Sequence, residues 1–270
     1  MPEKYVRRDG LPILLRHTGP TTLPQNPPTR GSGVQVVCLH DAGLQSSVFG
    51  GLLDALQEQS GASAIAFDLP GHGRSGSLDS LPSIEAMSEM ARWVTEWCQI
   101  EKPVLVGHGM GALVALEWAR TSGATLGGLV LCGAGLALGT GDETIETMRE
   151  VTLGKAPRPF DPTRVAKSGG QDMMRRAYME GIQTDPRATL VDLEASRDWS
   201  AAHSDALAID CLTRIVRGEA EHAQARERAE TLAGRCANSA LEEIADAAHF
   251  LPLEQPLALA AEILKTAEAA

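Results

Sequence analysis

The sequence predicts a doubly wound α/β fold with a mostly parallel sheet and a helical cap insertion, on three observations. Apolar runs of strand length alternate with segments of helical periodicity along most of the 270 residues. Several of these runs are apolar nearly throughout, VQVVCL (34–39), ASAIAFD (62–68), PVLVG (103–107) and LGGLVLCG (126–133), as strands are when helices cover both faces of a parallel sheet. The alternation then stops between Gly135 and about Ile209, where helical patterns follow one another with no strand between them. Alternating strands and helices build parallel βαβ units. A helical stretch inserted after one strand is expected to cap the sheet's carboxyl ends. The expected organisation is a core of 1–135 and 210–270 with an insertion of 136–209.

Each element follows from its own residues. KYVRRDGLPILLRH (4–17) predicts two short strands turning at Asp9-Gly10, a strong hairpin signal. The Pro, Gly and Thr of 18–33 propagate neither helix nor sheet, so a surface connection is expected. Helices are expected at 46–59 and 84–98, and the strand 103–107 feeds a helix at 112–120. In the insertion, GGQDMMRRAYMEGI (169–182) and ATLVDLEASRDWSA (188–201) are helical patterns. TRIVRG (213–218), a helix at 222–234 and SALEEIA (239–245) resume the alternation, and 257–269 closes as a helix.

Composition narrows the function classes. A net charge of −11 argues against nucleic acid or an anionic membrane as partner. The five cysteines, Cys38, Cys98, Cys132, Cys211 and Cys236, show no CxxC spacing and are expected to be buried free thiols of a reducing cytoplasm. The charged start MPEKYVRRDG precedes no long apolar stretch, and no run approaches membrane-spanning length. A cytoplasmic protein acting on a small-molecule substrate or ligand, with no metal and no cofactor, is expected. His203 and His222 have no ligand-spaced partners.

The decisive stretch is VLVGHGMGALVALEW (104–118), a strand, a glycine turn and a helix. As Gly107-x-Gly109-x-x-Ala112 it matches a dinucleotide fingerprint, which also needs an acidic residue at the end of the next strand. That strand ends LVLCGAGL and offers none. As Gly107-x-Gly109-x-Gly111 it matches the nucleophile elbow G-x-S-x-G with glycine in place of serine.

Three further stretches favour the second reading. LHDAGLQSSVF (39–49) resembles the oxyanion loop of α/β-hydrolases, DLPGHGRSG (68–76) the turn after that family's following strand, and DAAHFLPLEQP (246–256) its late histidine loop. In this order the chain resembles the α/β-hydrolase superfamily, and the serine ester and lactone hydrolases within it. The resemblance implies that His249 is the catalytic histidine and that Glu221, in Gly218-x-x-Glu221, is the acid that holds it, with Glu219 as a rival. It implies an oxyanion hole made by the backbone N–H groups of Ala42 and Met110. His40, His72 and His108 are implied as loop braces. The cap residues Met173, Met174, Tyr178 and Trp199 are expected in the core or a pocket wall. Arg175 and Arg176 are expected on a solvated face, with receipt of a substrate carboxylate by one of them as the alternative.

Two departures bear on the chemistry. Asp41 stands where the family usually has glycine, and it either points inward, opposing developing negative charge, or points to solvent and caps the helix at Ser46–Ser47. Gly109 stands where the nucleophile belongs, relieving backbone strain while removing covalent catalysis there. Three readings follow: a serine hydrolase that is weakly active or inactive, a general-base enzyme using His249 and Glu221, or a non-catalytic binder of small ligands. Each places Gly109, His249 and the two N–H donors on the floor of a capped, mostly apolar pocket. The first predicts that Gly109→Ser alone restores a covalent acyl-enzyme.

Overall fold

The computed structural model describes residues 1–31, 33–204 and 207–270. Position 32 of the expected connection and positions 205 and 206 of the expected insertion lie outside the described residues. Among the described residues, eight strands form one sheet: β1 (Glu3–Arg8), β2 (Leu11–His17), β3 (Gln35–Leu39), β4 (Ser63–Phe67), β5 (Val104–His108), β6 (Gly128–Cys132), β7 (Thr213–Gly218) and β8 (Ser239–Ile244). Their spatial order is β1-β2-β4-β3-β5-β6-β7-β8. The β1–β2 hairpin turns at Asp9 and Gly10, both at positive φ, and β2 pairs antiparallel with β4. Every pair from β4 to β8 is parallel.

Period-two alternation sends each central strand's side chains into two cores. Leu105, Leu129, Leu131 and Ile215 pack beneath α2 (Ile84–Trp97), α3 (Met110–Ser122) and α7 (Ala223–Ala233). Val104, Val106, Val130 and Val216 pack on the other face against α1 (Gly50–Ser60) and α9 (Pro256–Ala269). β4, β5 and β6 are buried along their whole length, the reason their sequences carry no polar alternation.

Between β6 and β7 lie α4 (Asp142–Thr152), α5 (Gly170–Ile182) and α6 (Pro186–His203), with short 3-10 turns at Pro162–Arg164 and Lys167–Gly169. α4 packs on α6, and Ala195 and Trp199 of α6 enter the core shared with α2 and α3. A last short helix, α8 (Leu251–Glu254), joins the histidine loop to α9. The segment expected as one helix from 46 opens as a 3-10 turn, Ser46–Phe49, before α1 begins. Its first amide is capped by Asp68, whose Oδ1 accepts from Ser46 N at 2.8 Å. Four of the five cysteines are buried, and Cys211 is half-buried.

Candidate functional site

Strand register brings the site together. β3 and β5 pair in parallel with Leu39 opposite Gly107, so the chain leaves both strands side by side and reaches Asp41 and Gly109 at equal distance. β7 and β8 pair with Gly218 opposite Ile244. The loops beyond them are laced together by Glu219 N to Ile244 O and Ala220 N to Ala247 O, both 2.9 Å, which sets Glu221 beside His249.

The elbow has the backbone expected of it. Gly109 adopts φ 53° and ψ −115° between β5 and α3, a region that only glycine enters without strain. A β-carbon there would also fall inside the Asp41 carboxylate. Asp41 Oδ1 accepts hydrogen bonds from the backbone N–H groups of Ala42 and Met110, each at 2.8 Å. Asp41 Oδ2 faces His249 Nε2 at 3.0 Å and Arg164 Nη2 at 3.3 Å. On the other side of the imidazole, Glu221 Oε1 lies 3.2 Å from His249 Nδ1. The longer glutamate arm therefore spans the gap to the ring.

Of the two orientations open to Asp41, the structure takes the inward one, and Asp68 rather than Asp41 caps the 46–49 turn. The expected pocket floor is correspondingly altered. Both N–H donors are engaged by Asp41, and the space above Gly109 holds its carboxylate. A cavity of about 260 Å³ lies elsewhere, between the loop 137–140 and α6, lined by Ser196, Ser200 and Ala201 among others.

Charges follow the contacts. Burial would raise the Asp41 carboxyl, but the hydrogen bond and charge of His249, with Arg164 behind, hold it well below the usual carboxylate range. Burial raises and His249 lowers Glu221, with a net downward shift. Burial and Arg164 push the His249 imidazole down, yet its two carboxylate partners outweigh them and its pKa is raised. The imidazole thus stands between two carboxylates, which favour its protonated form, with side chains of His249 and Asp41 only 12% and 10% exposed. His108, behind the ring, is pushed down to about 4 by burial and stays neutral, its Nε2 2.8 Å from His249 O.

The remaining sequence candidates fall around this centre. His40 Nε2 accepts from Leu69 N at 3.1 Å while its Nδ1 donates to Asp41 O at 2.9 Å, so it ties the two glycine-rich loops together. His72 donates to Pro70 O and to Asp192 Oδ2, 2.8 Å away on α6. Glu219 is exposed, its backbone O accepting from Arg226. Trp199 is buried and donates to Glu117, whereas Tyr178 is exposed beside Phe160. Arg175 and Arg176 are exposed.

Sequence reasoning missed three residues. Arg164 reaches Asp41, and its carbonyl accepts from His249 N at 3.0 Å. Asp192 Oδ2 accepts from Gly43 N as well as from His72. Glu254 takes the amides of Ala166 and Ala248 on its two oxygens. Only Asp192 carried a signal, an acid within an otherwise inward-facing helical stripe. Spacing along the chain also said nothing of metal-type clusters. Ligand atoms of Asp41, His108 and His249 lie within 4.8 Å of one another, as do those of Glu85, Glu117 and His203. Most of these polar atoms are already paired, Asp41 with His249, His108 Nε2 with a backbone carbonyl, Glu117 with Arg120 and Trp199, and His203 with Glu85, whereas His108 Nδ1 is buried without a hydrogen-bond partner among the described residues.

The comparisons agree with this frame. A family model described as alpha/beta hydrolase family matches residues 36–262. A pimeloyl-[acyl-carrier protein] methyl ester esterase of Methylococcus capsulatus is 34% identical over 113 residues, 39% of this chain and 39% of that protein. The match thus spans about two fifths of that relative's length. Among solved structures, an esterase from Exiguobacterium antarcticum superposes with a TM-score of 0.79 at 19% identity, over 98% of this chain and 99% of that one. An enol-lactonase from Burkholderia xenovorans LB400 gives a TM-score of 0.73 at 18% identity, over 97% and 98%. At such identities these two structures speak for the fold alone. Among the described residues, no helix is long and apolar enough to cross a membrane.

Proposed function

This chain belongs to the alpha/beta hydrolase family, and from that premise we propose that it is a hydrolase-type protein whose serine acyl transfer is replaced by a resident carboxylate, Asp41. One observation carries the reading: Asp41 Oδ1 stands where an elbow side chain would project and accepts both backbone N–H groups that would otherwise receive an oxyanion. An ester or lactone entering the cap meets neither a serine nor a free donor pair, so the chain is weakly active or inactive toward such substrates. General-base catalysis by His249 and Glu221 is disfavoured by charge, because carboxylates facing both ring nitrogens raise the His249 pKa and favour the form that cannot accept a proton.

The test is hydrolysis of short-chain p-nitrophenyl esters by four forms: the chain itself, Gly109→Ser, Asp41→Gly and the double variant. Gly109→Ser alone is expected to stay silent, because the serine β-carbon and the Asp41 carboxylate compete for one space. Only the double variant should show an acyl-enzyme burst and steady turnover. A burst from Gly109→Ser alone sinks the reading.

A second reading is favoured by the other oxygen of the same carboxylate, Oδ2, which faces His249 and Arg164 rather than the backbone amides. With Oδ1 held by two N–H groups, Oδ2 is placed to attack a saturated carbon, forming an ester while the leaving group departs with its bonding pair. That ester neutralises Asp41 and weakens the hold on the His249 proton. His249 loses its proton to solvent and deprotonates a water that attacks Cγ, negative charge develops on Oδ1, and the Cγ–Oδ2 bond then breaks as the alcohol departs with the proton from His249, leaving the carboxylate. Single turnover of a small alkyl bromide in H₂¹⁸O would leave the label on Asp41. Label appearing only in the alcohol excludes this route.

A further inference from the structure

On α7, Arg228 has an unusual position among the cations of the described residues. It is half-buried and has neither a hydrogen-bond nor an ion-pair partner among them, whereas the other half-buried arginines have at least one. Arg164 has Asp41, Arg214 has Glu242 and Glu262, and Arg217 has Glu230 and Glu243. A partly desolvated charge without a protein partner is less favourable than a paired one, so its retention points to a partner that arrives later. The chain makes the absence more pointed, since 35 acidic residues against 24 lysines and arginines leave acids in excess.

Its surroundings are built around the guanidinium. Gly139 sits at φ +73°, and a β-carbon there would lie 2.7 Å from Arg228 Nη1, so a side chain at this position would displace the head group. Gly135 makes the same allowance one step earlier, its β-carbon position being 2.7 Å from Arg228 Cβ. Burial pulls the Arg228 pKa down, with Glu221 opposing and Arg164 reinforcing that shift, so these two are the charged groups that face it. Glu221 is already engaged by His249. The loop 137–140, whose Gly139 abuts Arg228, is also one wall of the cavity of about 260 Å³, whose opposite wall is Ser196, Arg197, Ser200 and Ala201 of α6, with Arg197 already paired to Asp142 and Asp198. A cation short of an anion and an open cavity thus share Gly139.

We propose that Arg228 is the receptor for the carboxylate of a small organic acid, or of a substrate carrying one, whose remaining atoms occupy the cavity beside Gly139. A guanidinium presents paired N–H donors that match the two oxygens of a carboxylate, and the half-buried setting strengthens that pairing. The inference holds whether or not Asp41 replaces the serine, since it rests on residues outside the Asp41–His249–Glu221 line.

The experiment is calorimetric titration of the full chain with butanoate, with butanamide as its neutral twin and inorganic phosphate as a second anion. Butanoate should bind, and butanamide should bind at least about ten-fold more weakly. Arg228→Gln should lose about ten-fold or more of the butanoate affinity, and Arg228→Lys should retain part of it. A thermal melt separates receptor from structural brace: Arg228→Gln should melt no lower than the parent chain, because it removes an unpaired desolvated charge. Equal butanoate binding by parent and Arg228→Gln overturns the proposal, as does absence of butanoate binding at millimolar concentration. A lowered melting temperature with unchanged affinity also overturns it, and preference for phosphate overturns the assignment to a carboxylate.

Discussion

Asp41 and Gly109 occupy one side-chain space between them: the carboxylate of the first fills the volume that a β-carbon on the second would need. The two residues come from the ends of neighbouring parallel strands, and each lies the same distance beyond the register pair Leu39–Gly107. Glycine at one position therefore goes with a reaching side chain at the other.

The first consequence is energetic coupling. Gly109→Ala should destabilise the chain by at least about 2 kcal/mol, from overpacking together with a non-glycine residue at positive φ. In an Asp41→Gly background the overpacking disappears and only the backbone strain remains. A double-mutant cycle from urea unfolding measures this, and purely additive effects would contradict the shared space.

Histidine titration gives a second check. The raised His249 pKa depends on Asp41, so Asp41→Asn should let it titrate at lower pH, visible in the ring proton shifts by NMR. An unchanged midpoint would mean that Glu221 alone sets the charge.

Stability should follow pH in a definite direction. A group raised in the fold, as His249 is, contributes fully below its unfolded value of about 6.5 and loses that contribution as pH rises through the raised value. Depressed carboxyls, Asp41 and Glu221, contribute above about 4 and lose that contribution as pH falls through their lowered values. The centre is most stabilising between about pH 4 and 6.5, and urea midpoints should decline on the alkaline side more for the parent chain than for Asp41→Asn.

Asp192 carries a structural prediction. Its carboxylate and the His72 ring are both fully buried, and the same oxygen accepts from Gly43 N. Asp192→Ala should destabilise by about 3–5 kcal/mol, the loss seen when one member of a buried pair is removed. A change under about 1 kcal/mol in urea unfolding would show that His72 is content as a neutral ring.

Glu254 joins the segment between β6 and β7 to the histidine loop through the amides of Ala166 and Ala248. Glu254→Ala should leave both without their partner, at about 1–3 kcal/mol each, and accelerate hydrogen exchange there. Exchange unchanged at Ala166 would mean that the 162–169 turns are held by other contacts.

The sequence by itself determined the sheet and the elbow. Fully apolar strands require helices on both faces, Asp9-Gly10 turns a hairpin, and a glycine-rich turn between strand and helix needs no distant partner to be recognised. The resemblance of its motifs to α/β-hydrolases also implied that His249 and Glu221 lie near one another. Only the tertiary structure decided which way Asp41 points. That orientation depends on His249, 208 residues away, on Met110, 69 away, and on Arg164, 123 away. Arg164, Asp192 and Glu254 were unreadable for the same reason: a hydrogen bond between segments far apart in the chain leaves no periodicity in either of them.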